Sequence, residues 1–255
     1  MEQFDITCTA TLRPELLRRT FESHKKYLFG SSIQKARLII NIDMVGTNCP
    51  KQSQDALSEI FDFIHSMNFY TVSWNIGLPG NFAKAWFWCM NQLDISKPIF
   101  FNLEEDWEMV RPVNFEEMYD VMVKNPIIAH LRLSQFPSTI NRLKNWNKFL
   151  SWNGTFFEVN SDEAGTIGWC GHPGLTRTKF MMECLLHMDK EKNPEKQIKH
   201  HNPKIREIID KSVFGCWHEQ DCPAAIIDIG REWMVKHGWV KAGSKAFFTT
   251  WERTD

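Results

Sequence analysis

The sequence predicts an α/β fold, a mostly parallel β-sheet flanked by helices with an irregular second half. Three observations predict it. Over the first 112 residues, short β-type runs alternate four times with helix-spaced apolar stripes. The run Ala36–Asp43 is almost continuously apolar, as strands of a parallel sheet buried on both faces are. Polar and acidic residues sit directly after these runs, where open α/β sheets bind their ligands.

In chain order, Ile6–Thr11 reads as the first strand. Pro14 suits the first turn of a helix, and Leu16, Leu17, Phe21 and Tyr27-Leu28 continue at helical spacing. Ala36–Asp43 is the second strand. Residues 53–67 form a helix with Ala56, Ile60, Phe61 and Ile64 as its stripe. Phe69–Trp74 is the third strand, 75–80 a loop, and 81–93 a strongly apolar helix. The fourth strand, 97–103, runs straight into Glu104-Glu105-Asp106. Beyond it, 114–123 reads as a helix and 127–133 as a strand. Residues 142–170 read as loops and antiparallel strands. The run 171–175 is a turn before a helix over 176–188, and a further helix covers 194–211. Residues 224–229 read as a strand and 231–237 as a helix; the tail from 247 is ambiguous.

The 255 residues are 43% hydrophobic and 24% charged, with a net charge of −1. That excludes a disordered tail, a fibre and a uniformly basic nucleic-acid coat. Seven scattered cysteines without a CxxC pair read as reduced, buried thiols. No charged-then-apolar leader opens the sequence and no apolar run nears 18 residues, so a cytoplasmic protein without a membrane partner is expected.

Three carboxylates directly after an apolar strand are costly unless something cationic satisfies them. A divalent metal bound to a diphosphate would do so, since Mg²⁺ or Mn²⁺ takes one or two carboxylates plus phosphate oxygens. In an extended segment Glu104 and Asp106 share a side and Glu105 faces the other way. The bland alternative is a solvated acidic turn.

Several segments in order carry a resemblance. Ile6-Thr7-Cys8-Thr9-Ala10-Thr11-Leu12-Arg13-Pro14, Asn75-Ile76-Gly77 with Asn81-Phe82-Ala83-Lys84-Ala85, Phe100–Trp107, Val110–Phe115 and His172–Arg177 together resemble family-2-like, nucleotide-sugar-dependent glycosyltransferases of the GT-A fold. The resemblance implies a single GT-A-like domain over 1–255, with a Rossmann-like nucleotide-sugar-binding half (1–112) and an acceptor-side half (113–255). It implies transfer of a sugar, with a UDP-sugar favoured as donor, to an acceptor hydroxyl with Mn²⁺ or Mg²⁺ as cofactor. Carried over by position, Thr9, Thr11 and Arg13 would contact the nucleotide, and Asp43 the base or ribose. Asn81 and Lys84 would lie near the nucleotide or diphosphate, where a helix N-terminus favours phosphate. Glu104 and Glu105 complete the donor site, and Asp106 would be the main metal ligand. Many members add a His near the C-terminus; here Asp228 or His218 would take that place.

An inverting transfer needs a carboxylate near the acceptor hydroxyl. Glu195 is the first candidate and Asp189 the second; a plain helix-start acid is the alternative for Glu195. Trp146, Trp152 and His172 are candidate acceptor contacts. Arg142, Lys144 and Lys148 interleave with Trp146, Phe149 and Trp152, a pattern that can grip a phosphate backbone and stack a base. It motivates one acceptor, a hydroxymethylated base in DNA in a bacterial or virus-infected cell; a glycan or small hydroxyl compound is the other. Two further readings remain, a sugar nucleotidyltransferase and a non-catalytic binding module on the same scaffold.

Overall fold

The computed structural model describes residues 2–45, 50–136, 149–200, 202–217, 224–245 and 248–253. The strands are β1 (Phe4–Thr11), β2 (Ala36–Asp43), β3 (Thr71–Gly77), β4 (Ile99–Glu104), β5 (Trp107–Met109), β6 (Ile128–Leu133) and β7 (Gln135–Phe136). They continue with β8 (Leu150–Trp152), β9 (Phe157–Val159), β10 (Gly174–Arg177), β11 (Val213–Trp217), β12 (Ile226–Asp228), β13 (Trp239–Lys245) and β14 (Phe248–Arg253). The α-helices are α1 (Pro14–His24), α2 (Pro50–Ser66), α3 (Phe82–Asn91), α4 (Phe115–Lys124), α5 (Thr178–Leu185), α6 (Pro194–His200), α7 (Pro203–Ile209) and α8 (Gly230–Lys236).

Nine strands form one sheet in the order β3-β2-β1-β4-β10-β6-β11-β9-β8. The pairings β1–β2, β2–β3, β1–β4 and β6–β11 are parallel. Only β10 and β9 run against the rest. The sheet is thus mixed but mostly parallel, and it draws strands from both halves of the chain. One face buries Ile6, Leu38, Ile40, Phe101 and Leu131 with Leu17 and Phe21 of α1, Ile60 of α2 and Met118 of α4. The other buries Ile39 and Phe100 with Trp86 and Met90 of α3, Met181 of α5 and Ile205 of α7. A small sheet, β5-β12-β7, and the hairpin β13–β14 complete the described structure.

Three sequence expectations change. The expected turn and helix start at 171–176 contain a strand: β10 lies between β4 and β6, antiparallel to both, and α5 begins only at Thr178. Four residues are too few to display a period, and the preceding Gly-His-Pro-Gly run masks the strand. The expected helix over 194–211 is two helices, because Asn202 caps a new one by accepting from the Lys204 N–H (3.1 Å) and Pro203 takes its first position. The acidic segment is not extended: β4 ends at Glu104, and Glu105-Asp106 turn before β5. Strand alternation therefore stops one residue before it was to have separated Glu105 from its neighbours.

Candidate donor and metal site

The carboxyl ends of β1 to β4 set the site in rows. Thr9, Asn41, Asn75 and Glu104 share one register row; Thr11, Asp43 and Gly77 share the row two residues on, the next on the same face. Side chains in a row project to the same face, so the sheet carries polar groups at the edge where its apolar cover ends. The Asn75 amide donates to Asn41 Oδ1 (2.6 Å), and Asn41 donates to Asp43 Oδ1 (2.8 Å). Burial raises the Asp43 carboxyl above its ordinary range, against the opposing pull of the Asn41 and Asn81 N–H groups. A Cβ on Gly77 would stand 2.0 Å from Asp43 Oδ1, so only glycine lets the carboxylate lie here.

Glu105 occupies a different environment from the one expected of a donor contact. It is 4% exposed. Its Oε1 accepts from Thr11 N (3.1 Å), Thr11 Oγ1 (2.9 Å) and Arg13 Nε (3.1 Å), and pairs with Arg13 Nη2. Arg13 Nε also donates to Thr11 Oγ1 (2.8 Å), and Arg13 Nη2 reaches Asp106 Oδ2 at 3.3 Å. Burial alone would lower the Arg13 pKa; Glu105 and Asp106 more than offset it and raise it. Thr11, Arg13 and Glu105 thus satisfy one another and bolt the β1–α1 turn to the acidic segment. The ring of Trp233 on α8 lies 5.4 Å under the Arg13 guanidinium.

Asp106 keeps 24% of its side chain exposed beside this bolt. Burial first, then Glu105 and Asp228, push its carboxyl up to about 7, against the pull of Arg13. A Cβ on Gly230 would come within 2.2 Å of Asp106 Oδ2, so the start of α8 lies against it. Asp228, three quarters buried or more, accepts from Gly230 N (3.0 Å) and pairs with Arg231 Nε (2.9 Å). Glu104 is raised well above its ordinary value by burial, then by Asp106, Glu195 and Glu105. Among the described residues no three such side chains converge tightly enough to hold a metal by themselves. The crowded carboxylates nonetheless fit a divalent cation that takes further oxygens from a diphosphate: the donors are hard oxygens, and their mutual repulsion is what a cation relieves.

The remaining expected residues divide. Thr9 is buried on β1 at the register of Glu104. Asn81 caps α3, its Oδ1 accepting from Lys84 N (3.1 Å), so that N–H is not free for phosphate. Lys84 Nζ pairs with Glu191 at 3.3 Å on the surface. Glu195 carries a charge felt by Glu104 and pairs with Lys199. Asp189 instead sits in an exposed turn, accepting from Glu191 N (3.0 Å) and pairing with Lys192 (3.0 Å), which hold it below its ordinary range. His172 packs on Trp107 with ring centroids 4.6 Å apart. Trp152 of β8 packs on Phe157 of β9; β8 lies five strands from β4, or roughly 24 Å at ~4.8 Å per strand. Trp146 and His218 lie outside the described residues, as do Arg142, Lys144 and Lys148. Sequence reasoning missed the Asn41–Asn75 network and the Arg13–Glu105 pairing. The polar Asn41 inside an apolar strand was the available signal for the first.

Neither a protein-family model nor a curated protein matches the sequence. Solved structures do match in shape. S. aureus TarS 1–349 superposes with a TM-score of 0.53 at 11% identity, over 90% of this chain and 61% of that one. The same protein in complex with UDP-GlcNAc gives 0.52 at 10%, over 88% and 58%. The mannosyltransferase PcManGT from Pyrobaculum calidifontis, in complex with GDP-Man and Mn2+, gives 0.55 at 8%, over 90% and 57%. This chain shares their fold. It spans less than two thirds of the length of each of these structures. Among the described residues, no helix is long and apolar enough to cross a membrane.

Proposed function

We propose that the chain is a metal-dependent glycosyltransferase of the GT-A type, moving a sugar from a nucleotide diphosphate to an acceptor hydroxyl. The observation that carries this is the convergence of Asp43, Glu104, Asp106 and Asp228 at one edge of the sheet, with Asp106 partly exposed and its charge incompletely compensated. The fold shared with a mannosyltransferase holding GDP-Man and Mn2+, and with TarS holding UDP-GlcNAc, supports it.

Asp43, held by Asn41 and flanked by Gly77, accepts a hydrogen bond from the N–H edge of the base or from a ribose hydroxyl. Asp106, with Asp228 beside it, holds Mn²⁺ or Mg²⁺. The bound cation supplies charge neutralisation for the departing nucleoside diphosphate. Glu104 faces the sugar or ribose. Glu195, paired with Lys199, receives the proton of the acceptor hydroxyl if configuration inverts. His172, against Trp107, borders the acceptor. The finer acceptor reading is a hydroxymethylated base in DNA. It rests on the basic and aromatic residues of 142–152, and a DNA affinity unchanged between about 50 and 200 mM salt would remove it.

The test is a thermal-shift panel of nucleoside diphosphates and UDP- and GDP-sugars with and without Mn²⁺. A ligand at 100 times its dissociation constant adds about 2.7 kcal/mol. The expected result is a metal-dependent shift with a nucleotide-sugar that disappears in Asp106→Ala. No shift with any of them in the wild type would sink the proposal.

A further inference from the structure

The segment from Ile167 to Pro173 passes over the end of β4 and is held from below by a buried group that the reaction above does not use. Arg132, on β6 and 4% exposed, donates through Nη1 to Ile167 O (3.0 Å) and lies 3.6 Å from Cys170 Sγ. It therefore grips the segment on both sides of Trp169, which is itself buried. Cys170 is 2% exposed. The next two residues face the acidic edge. Asn102 Nδ2 donates to Gly171 O (3.0 Å), and a Cβ on Gly171 would meet Glu104 Oε1 at 2.8 Å. His172 then lays its imidazole on Trp107.

We propose that the buried Arg132–Cys170 pair is the positioning device for His172, fixing the imidazole on Trp107 beside Glu104. This rests on the reading of the acidic edge as a transferase site. The sulfur's surroundings agree with the geometry. Burial alone would raise a thiol; His172, Arg132 and a contact with His130 overturn that and hold Cys170 well below the ordinary thiol range. Cys216, across the β6–β11 register from Arg132, shares the guanidinium but stays above that range, chiefly through burial. The groups facing this cluster are Arg132, His130, Cys216 and His172, with Arg111 felt at Cys216. Cys170 thus sits buried between a guanidinium and an imidazole, surroundings that favour its thiolate form. A serine there keeps a hydrogen bond and loses the charge; an alanine loses both.

The experiment compares wild type with Cys170→Ser, Cys170→Ala and the control Cys216→Ser. The imidazole proton shifts of His172 report its place in the Trp107 ring current, and Trp107→Leu identifies that contribution. Ultraviolet thiolate absorbance at neutral pH reports the sulfur. Release of nucleoside diphosphate from a UDP- or GDP-sugar with Mn²⁺ reports turnover. Expected are a thiolate signal lost in both Cys170 variants and kept in Cys216→Ser, and a His172 ring-current shift that collapses in Cys170→Ala. A fall in kcat of about 10- to 100-fold with donor KM unchanged, partly rescued by serine, accompanies it. An unchanged His172 shift in Cys170→Ala overturns the proposal, and so does a collapsed shift with full turnover. If the wild type turns over no nucleotide-sugar, the transferase reading falls while the His172 shift still decides the pairing.

Discussion

Replacing Glu105 tests the bolt between the β1–α1 turn and the acidic segment. Its carboxylate oxygen satisfies both donors of Thr11 and pairs with Arg13, and the pair is nearly buried, with side chains 10% and 5% exposed. Glu105→Ala leaves the Arg13 charge facing Asp106 alone at 3.3 Å. Breaking a buried pair by removing one partner costs about 3–5 kcal/mol. For a chain of this size each kcal/mol moves the Tm by about 2–4 °C, so the loss is roughly 6–20 °C. Glu105→Gln keeps an acceptor for the Thr11 N–H and hydroxyl but not the charge, and falls between alanine and wild type. Arg13→Met with Glu105→Leu removes both charges and fills the space, recovering most of the loss, since apolar replacement of a buried pair is often neutral. Denaturant midpoints at constant m measure each step, and the double-mutant cycle isolates the coupling. A Glu105→Ala loss within about 0.5 kcal/mol of zero, the range of an ordinary surface change, would refute the reasoning.

Three further outcomes follow from the geometry. His24, fully buried on α1, has its pKa lowered to about 4, mainly by burial, with its Nδ1 against Thr20 O at 2.8 Å. The folded imidazole stays neutral while the unfolded one protonates at about 6.5, so its stability contribution is present above that pH and is lost as pH falls toward 4. About 2 kcal/mol should vanish between pH 8 and pH 5, and His24→Leu should flatten that slope in denaturant titrations. Gly77→Ala places a methyl 2.0 Å from Asp43 Oδ1 and should weaken nucleotide binding about tenfold in calorimetry with little change in fold by circular dichroism. Gly230→Ala crowds Asp106 Oδ2 at 2.2 Å and should weaken Mn²⁺-dependent nucleotide-sugar binding, while leaving affinity for the nucleoside without phosphate unchanged.

The first half of the fold was legible because its strands and helices obey their periods. Ala36–Asp43 is the same strand in sequence and structure, and α1, α3 and α4 fall within a few residues of their apolar stripes. β3 runs three residues further than its apolar residues suggest, to Gly77, because Asn75 and Gly77 pair with β2 without supplying apolar side chains. The second half was less legible for the same kind of reason. β10 is four residues long, and its place in the sheet depends on partners far away in sequence. At the site, sequence pattern brought acids to one edge but could not say which were already paired. Glu105 and Asp106 are neighbours with similar chemistry; only the turn after β4 buries one against Arg13 and leaves the other partly exposed. Asp189 and Glu195 differ likewise, through a turn hydrogen bond that has no period to read.

The wedge strand β10 also bears on how the chain reaches its folded state. Strands β1 to β4 can assemble early: β1–β2 and β2–β3 pair across single helical crossovers, and after α3 the chain returns to lay β4 beside β1. β4 and β6 do not pair with each other; each hydrogen-bonds β10, which emerges some forty residues after β6 in synthesis. Until then β4 offers an open, apolar edge carrying Phe100 and Phe101, the kind of template on which unrelated chains aggregate. A fragment ending before Gly174 should therefore be far less soluble than its charge would suggest. Closing the long loop to β10 is the slow, high-contact-order step after which both halves gain their protection together.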